Sequence, residues 1–232
     1  MSKLIKPAQG FGKSTSRRNF LATSGIALAT TGLILAGCDK NDDPMPTPPA
    51  DAVDLGSGDV GILNYAYALE QLEAAFYTAV MASPYGGISS EEGKIMEALQ
   101  KHEVAHRDFF KAALGSDAIQ ALEVDFSSID FSDRASVLMA AQTFEDLGVA
   151  AYNGAGNLIQ NVDYLLLAGK IVSVEARHAA AIRQLIGTNA KAFAGDDVVD
   201  SNGLDRATAP TDVLMAAAAY LTTPVSGSNL PS

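Results

Sequence analysis

From Asp59 onward, apolar residues recur at three- and four-residue intervals, the period of a helix that buries one face. The pattern predicts a first helix over 59–82, capped by Ser57 or Asp59 and stopped by the turn sequence SPYGG. A second helix is predicted from Ser89, which forms a capping-box pattern with Glu92, to Leu114, with Gly115 beyond it. Residues 116–131 lose the period, and LEVDFSSIDF within them is the one strand-like run. The period returns from Ser132 to Leu158 and again over 161–186, ending at Gly187. A shorter fifth helix is predicted at 211–221, after Pro210, and the Gly- and Asp-rich residues 188–209 read as loop. Four long helices with short connections predict an all-α four-helix bundle over 59–187, with a short C-terminal helix in the extension 188–232.

The N-terminal part follows a different pattern. Residues 1–37 carry Lys3, Lys6, Lys13, Arg17 and Arg18, no acid, and an apolar stretch from Phe20 to Ala36. A basic start, an apolar middle and small residues at the end predict a secretory signal; the run is short and too diluted by Thr, Ser and Gly for a membrane-spanning helix. Within it, SRRNFL (Ser16 to Leu21) resembles the bacterial twin-arginine export motif, and LAGC (Leu35 to Cys38) resembles a bacterial lipobox. Together they imply a lipoprotein beginning at Cys38, held to a membrane by acyl chains on that residue. Residues 38–58, acidic and Pro-rich, read as a linker.

Removing residues 1–37, with five cations and no acid, moves the formal charge from −11 to −16. Such a surface argues against a nucleic-acid partner, because phosphate contacts need clustered Lys and Arg. Cys38 is the only cysteine, so the exported chain has no disulfide and offers no thiolate set for an iron–sulfur cluster or a Cys-type zinc site.

The candidate chemistry lies in an internal repeat. EQLEAAFY (Glu70 to Tyr77) and EDLGVAAY (Glu145 to Tyr152) share E-x-L-x-x-A-x-Y across the first and third helices. EVAH (Glu103 to His106) and EARH (Glu175 to His178) share E-x-x-H across the second and fourth. Residues three apart on a helix lie about 60° and about 4.5 Å from each other, so a Glu and a His so placed can bind the same ion. Residues seven apart lie within about 20° of one face, which puts Tyr77 on the face of Glu70 and Tyr152 on that of Glu145. Glu70, Glu103, His106, Glu145, Glu175 and His178 are therefore the predicted ligands of two metal ions, whose charge two divalent cations and four carboxylates balance. Nine glutamates and three histidines in this length give about 0.1 chance E-x-x-H matches. Two occur, in corresponding halves of a repeat.

Two neighbours compete for a place. HEVAH (His102 to His106) matches the H-E-x-x-H zinc-protease signature, with Glu103 as free base. That reading leaves Glu175, His178 and the repeat unexplained, and His102 aligns with Val174; His102 is expected on the helix surface or behind the ligands. Glu73 aligns with Gly148, which has no side chain, so Glu70 is the expected ligand and Glu73 a reserve.

Residues 59–187, and NYAYALEQLEAAFY (Asn64 to Tyr77) and VEARHAAAIR (Val174 to Arg183) above all, resemble a bacterial ferritin-like domain family, some of whose members are called desiccation-related. The resemblance implies a ferritin-like bundle holding two Fe or two Mn ions, with a mixed pair or Zn also accommodated, and oxygen or peroxide as partners. The linker, the loops and the C-terminal extension depart from storage ferritins, so a closed cage is not expected; a homodimer is compatible with the family. Tyr77 and Tyr152 would tune or protect the centre or donate electrons, unless they simply pack the core through hydrogen-bonded hydroxyls. Arg177 and Asp108 are candidates to hold the far nitrogen of a metal-bound histidine. Two functions follow: an envelope-anchored oxidoreductase acting in oxidative stress, or a non-catalytic scaffold with a structural metal site.

Overall fold

The computed structural model describes residues 49–187 and 191–232; the predicted signal segment and Cys38 lie outside them. Four long helices are present, α1 (Gly58–Ala82), α2 (Ser90–Leu114), α3 (Arg134–Gly156) and α4 (Val162–Ile186), followed by a short α5 (Pro210–Ala217). The fold is an all-α ferritin-like bundle in which α1 packs on α2 and α3 on α4. Among the described residues, no helix is long and apolar enough to cross a membrane.

The starts of the helices follow the sequence signals. Ser89 and Glu92 close a reciprocal capping box on α2. Asp133 accepts from the Ser136 N–H at the start of α3, and Asn161 from the Asp163 N–H at the start of α4. Ser57 occupies the cap position of α1 but makes no side-chain cap bond. Asp59 instead accepts from the Gln160 and Asn161 N–H groups, each at 2.7 Å, and so ties the start of α1 to the α3–α4 turn.

Two contacts of one arginine mark the topology. Arg134, at the start of α3, bonds to Glu92 near the start of α2 (Nε to Oε1, 2.7 Å) and to the Leu185 carbonyl near the end of α4. The starts of α2 and α3 thus share one end of the bundle, which makes α2 and α3 parallel. The connection 115–133 must return along the whole length of the bundle, roughly 37 Å for a helix of this size. Buried amides on α1 hold that crossover. Asn64 donates to the Leu55 and Asp117 carbonyls and accepts from the Ile119 N–H; Gln71 accepts from the Leu122 N–H.

The chain outside the helices belongs to the fold more than its composition foretells. Val53–Asp54 (β1), at the end of the predicted linker, pairs in parallel with Val225–Ser226 (β2) in the C-terminal extension, and Leu55 is 0% exposed. The extension packs closely elsewhere too. Thr208 N–H donates to the Ala150 carbonyl, and a Cβ at Gly154 would come within 1.8 Å of the Thr208 carbonyl oxygen, so α3 needs glycine there. Tyr220 meets Phe144 edge-on at 4.7 Å, extending the cluster of Phe76, Phe126, Phe131 and Phe144 at the end of the bundle where α2 and α3 begin.

Candidate metal centre

The period that buries one face of each helix also buries its acids. Glu70 on α1, Glu103 on α2, Glu145 on α3 and Glu175 on α4 are each 0% exposed; His178 is buried and His106 partly so. Nδ1 of His106 lies 2.8 Å from Glu175 Oε1, 3.4 Å from Glu70 Oε2 and 3.5 Å from Glu103 Oε2. Nδ1 of His178 lies 2.7 Å from Glu103 Oε1, 3.4 Å from Glu175 Oε2 and 3.5 Å from Glu145 Oε2. Two groups result, Glu70–Glu103–His106–Glu175 and Glu103–Glu145–Glu175–His178, each with its ligand atoms within 4.8 Å of one another. Glu103 and Glu175 turn one oxygen to each group, the placement of bridging carboxylates. Glu70 and Glu145 each serve one group, as terminal ligands would.

These facing atoms decide whether the site fits metal. Glu70 Oε2, both oxygens of Glu103 and of Glu175, Glu145 Oε2 and both histidine Nδ1 atoms are buried with no hydrogen-bond partner. Unsatisfied buried charges are costly, and protein groups normally pair them. Eight such atoms converging on two points form a donor set of hard oxygens and imidazole nitrogens, which suits Fe or Mn and also admits Zn.

Without cations, protons must do the neutralising. Burial alone would push His106 down, but the carboxylates of Glu103, Glu175 and Glu70 outweigh it and raise the imidazole to about 12. His178 likewise rises to about 12 against the pull of burial, through Glu103, Glu145 and Glu175. Burial carries Glu145 up to about 8 and Glu70 well above the carboxylate range. Burial works to raise Glu103 as well, yet its two histidine neighbours hold it at about 2.

The repeat is tied together crosswise. The Tyr77 hydroxyl on α1 donates to Glu145 Oε1 on α3 at 2.5 Å, and the Tyr152 hydroxyl on α3 donates to Glu70 Oε1 on α1. Each tyrosine therefore orients the terminal carboxylate of the opposite helix and leaves its Oε2 facing the histidine.

His102 stands behind the centre. Its Nδ1 is 2.8 Å from Nε2 of His178, and the two rings stack with centroids 5.0 Å apart and 16° between planes. The far nitrogen of a metal-facing histidine is thus held by a third histidine, which the repeat alignment alone had left without a fixed place. Arg177 and Asp108 do not take that part. Arg177 bonds back to the Ser173 carbonyl on its own helix and Asp108 pairs with Arg107, all on the exposed side, because their positions face away from the seam.

Glu73 is buried outside both groups. A Cβ at Gly148 would lie 2.9 Å from Glu73 Oε1, so the glycine across the bundle makes the space that this carboxyl fills. Burial, then the neighbouring Glu103, Glu175, Glu145 and Glu70, raise it well above the ordinary range.

Residues 58–188 match the family described as ferritin-like domain. The chain belongs to that family. No curated protein matches it. In this ferritin-like protein the helices that carry the six aligned side chains all fall inside the matched region.

The division into bridging and terminal carboxylates predicts unequal losses. Glu103→Ala or Glu175→Ala should abolish binding of both ions, whereas Glu70→Ala or Glu145→Ala should leave one, as counted by metal analysis of equilibrated protein. His102→Phe should keep both but weaken the His178 side about tenfold, the usual cost of losing an outer partner. Equal loss in all four glutamate variants would refute the division. Metal binding must also expel the imidazolium protons, since Nδ1 cannot ligate while protonated. The apparent affinity should therefore rise with pH through neutrality and fall in acid, with proton release visible as buffer-dependent heat in calorimetry.

Proposed function

We propose that this ferritin-like protein is an envelope-anchored di-metal oxidoreductase that holds two iron or two manganese ions and oxidises Fe(II), or reduces oxygen or peroxide, in protection against oxidative stress. The observation that carries this reading is the set of eight buried, unpartnered donor atoms in two overlapping groups. Glu70, Glu103, His106 and Glu175 would hold one ion, and Glu103, Glu145, Glu175 and His178 the other. The metal pair supplies two one-electron reservoirs side by side and Lewis acidity between them. Reducing dioxygen to hydrogen peroxide takes two protons and two electrons, which a bound pair of Fe(II) or Mn(II) ions would supply.

The chain's own groups set the conditions for that step. Tyr77 and Tyr152 stay neutral, because burial and then the adjacent carboxylates push their phenols up, so they keep donating to Glu145 and Glu70 and fix those carboxylates. The burial of the site excludes bulk water and strengthens every charge interaction within it.

The anchoring half of the proposal rests on residues 1–38, with their twin-arginine and lipobox resemblances and the acidic linker after Cys38. Cys38→Ala should move the exported protein from the membrane fraction to the soluble one; unchanged fractionation removes the lipid anchor. For the chemistry, purified protein reconstituted with Fe or Mn should bind two ions per chain and consume oxygen or peroxide catalytically. Two bound ions with no turnover would leave a structural metal site on a non-catalytic scaffold, and the oxidoreductase reading would fall.

A further inference from the structure

A second feature adjoins the centre without belonging to it. Between the first half of α1, the last turns of α2 and α3 and the start of α4 lies a cavity of about 40 Å³. Its lining includes Ala66, Leu69, Ala151, Tyr152, Phe109 and Leu167, and is apolar almost throughout. Its inner wall is shared with the metal centre. Leu69 precedes Glu70, Ala66 stands one turn before it, and the Tyr152 hydroxyl donates to Glu70 Oε1. Its outer rim reaches solvent on α2, where Phe109 is 40% exposed and Ala113 is exposed as well. One polar atom stands out. Tyr65 also lines the cavity, is 1% exposed, and its hydroxyl has no hydrogen-bond partner.

We propose that this cavity is the access route and holding site for dioxygen, delivering it to the Glu70–His106 side of the centre. The inference rests on the oxidoreductase reading above and narrows its oxidant. A water needs about 10–15 Å³ of such space, so the cavity of about 40 Å³ takes a diatomic gas, a xenon atom or about three waters. Apolar walls select between these. Water and hydrogen peroxide carry donors and acceptors that one tyrosine hydroxyl cannot satisfy, and burying them unpaired is unfavourable. Dioxygen makes no such demand, and a dry apolar cavity readily accepts apolar gases. The route is also short, since the residue that closes it, Tyr152, already touches a ligand carboxylate.

Xenon is the direct probe, used on the metal-free full chain. The xenon-129 signal should show saturable binding in the natural protein, lost in Ala66→Leu, which fills the cavity. Ala113→Trp narrows the exposed rim without crowding the core and serves as the second variant. In metal-loaded protein, oxidation by dioxygen should slow about tenfold in either variant, as for an association that waits on an opening motion. Oxidation by hydrogen peroxide and the metal content should stay as in the natural protein. Absence of xenon binding, an unchanged dioxygen rate, or equal slowing with both oxidants each overturns the route. Xenon binding by a protein that reacts with peroxide but never with dioxygen also overturns the route, whereas reaction with neither overturns the oxidoreductase reading, so the two failures are told apart.

Discussion

Four carboxylates with no exposure to solvent, meeting at the middle of a helical bundle, set the terms for everything around them. An uncompensated buried charge costs several kcal/mol even after relaxation. The bundle tolerates these glutamates only with partners, and protein atoms supply few: two tyrosine hydroxyls and two imidazoles. Protons or cations must supply the rest. The positions of the atoms favour cations, because eight of them face two common points and, although some histidine–carboxylate pairs approach within 2.7–2.8 Å, none meets in hydrogen-bond geometry. A fold that sought only to bury its acids cheaply would have paired them off.

The bundle is built to hold that arrangement in register. Each α1–α2 or α3–α4 pair contributes one terminal carboxylate and one Glu-x-x-His, and neither pair alone completes a group. Glu175 must come from α4 to finish the group on His106, and Glu103 from α2 to finish the one on His178. The crossed tyrosine bonds make the same demand between α1 and α3. The centre thus depends on how the two pairs are set against each other. The crossover pinned by Asn64 and Gln71, the Arg134–Glu92 contact and the Asp59 bond to the α3–α4 turn all act on that setting.

Much of this could be read from the residues. A helix repeats its face every three or four positions, so E-x-x-H and E-x-L-x-x-A-x-Y announce side chains that share a direction, and the six predicted residues do meet. The alignment of Glu73 with Gly148 also hinted at a broken repeat, and the close approach of the two explains it sterically. Which carboxylates face both groups was not legible, because that depends on the rotation of α2 against α4. His102 was hard to place for the same reason: its partner lies 76 residues away on another helix. Asn64 and Gln71 look like interruptions of an apolar face until the crossover they satisfy is seen. Outside the fifth helix, the extension 188–232 and the end of the linker have no period to detect, since they are held by backbone bonds and single apolar contacts such as Leu55.

The duplicated plan leaves two halves that differ in ways bearing on chemistry. His178 is the more enclosed histidine and has His102 stacked behind it. His106 is more open, and its terminal partner Glu70 is held by the tyrosine that also walls the apolar cavity. One half is therefore braced and the other borders a space. Glu73, on α1 with Glu70, lies where its repeat mate has only a glycine, so the reserve acid is also present once rather than twice. A strictly symmetric pair of sites would bind two ions alike and give an incoming molecule no preferred side. In this chain two departures from symmetry each come from a single position where the halves of the repeat no longer agree: His102, aligned with Val174, braces His178, and Glu73, aligned with Gly148, adds a buried carboxyl on one side only.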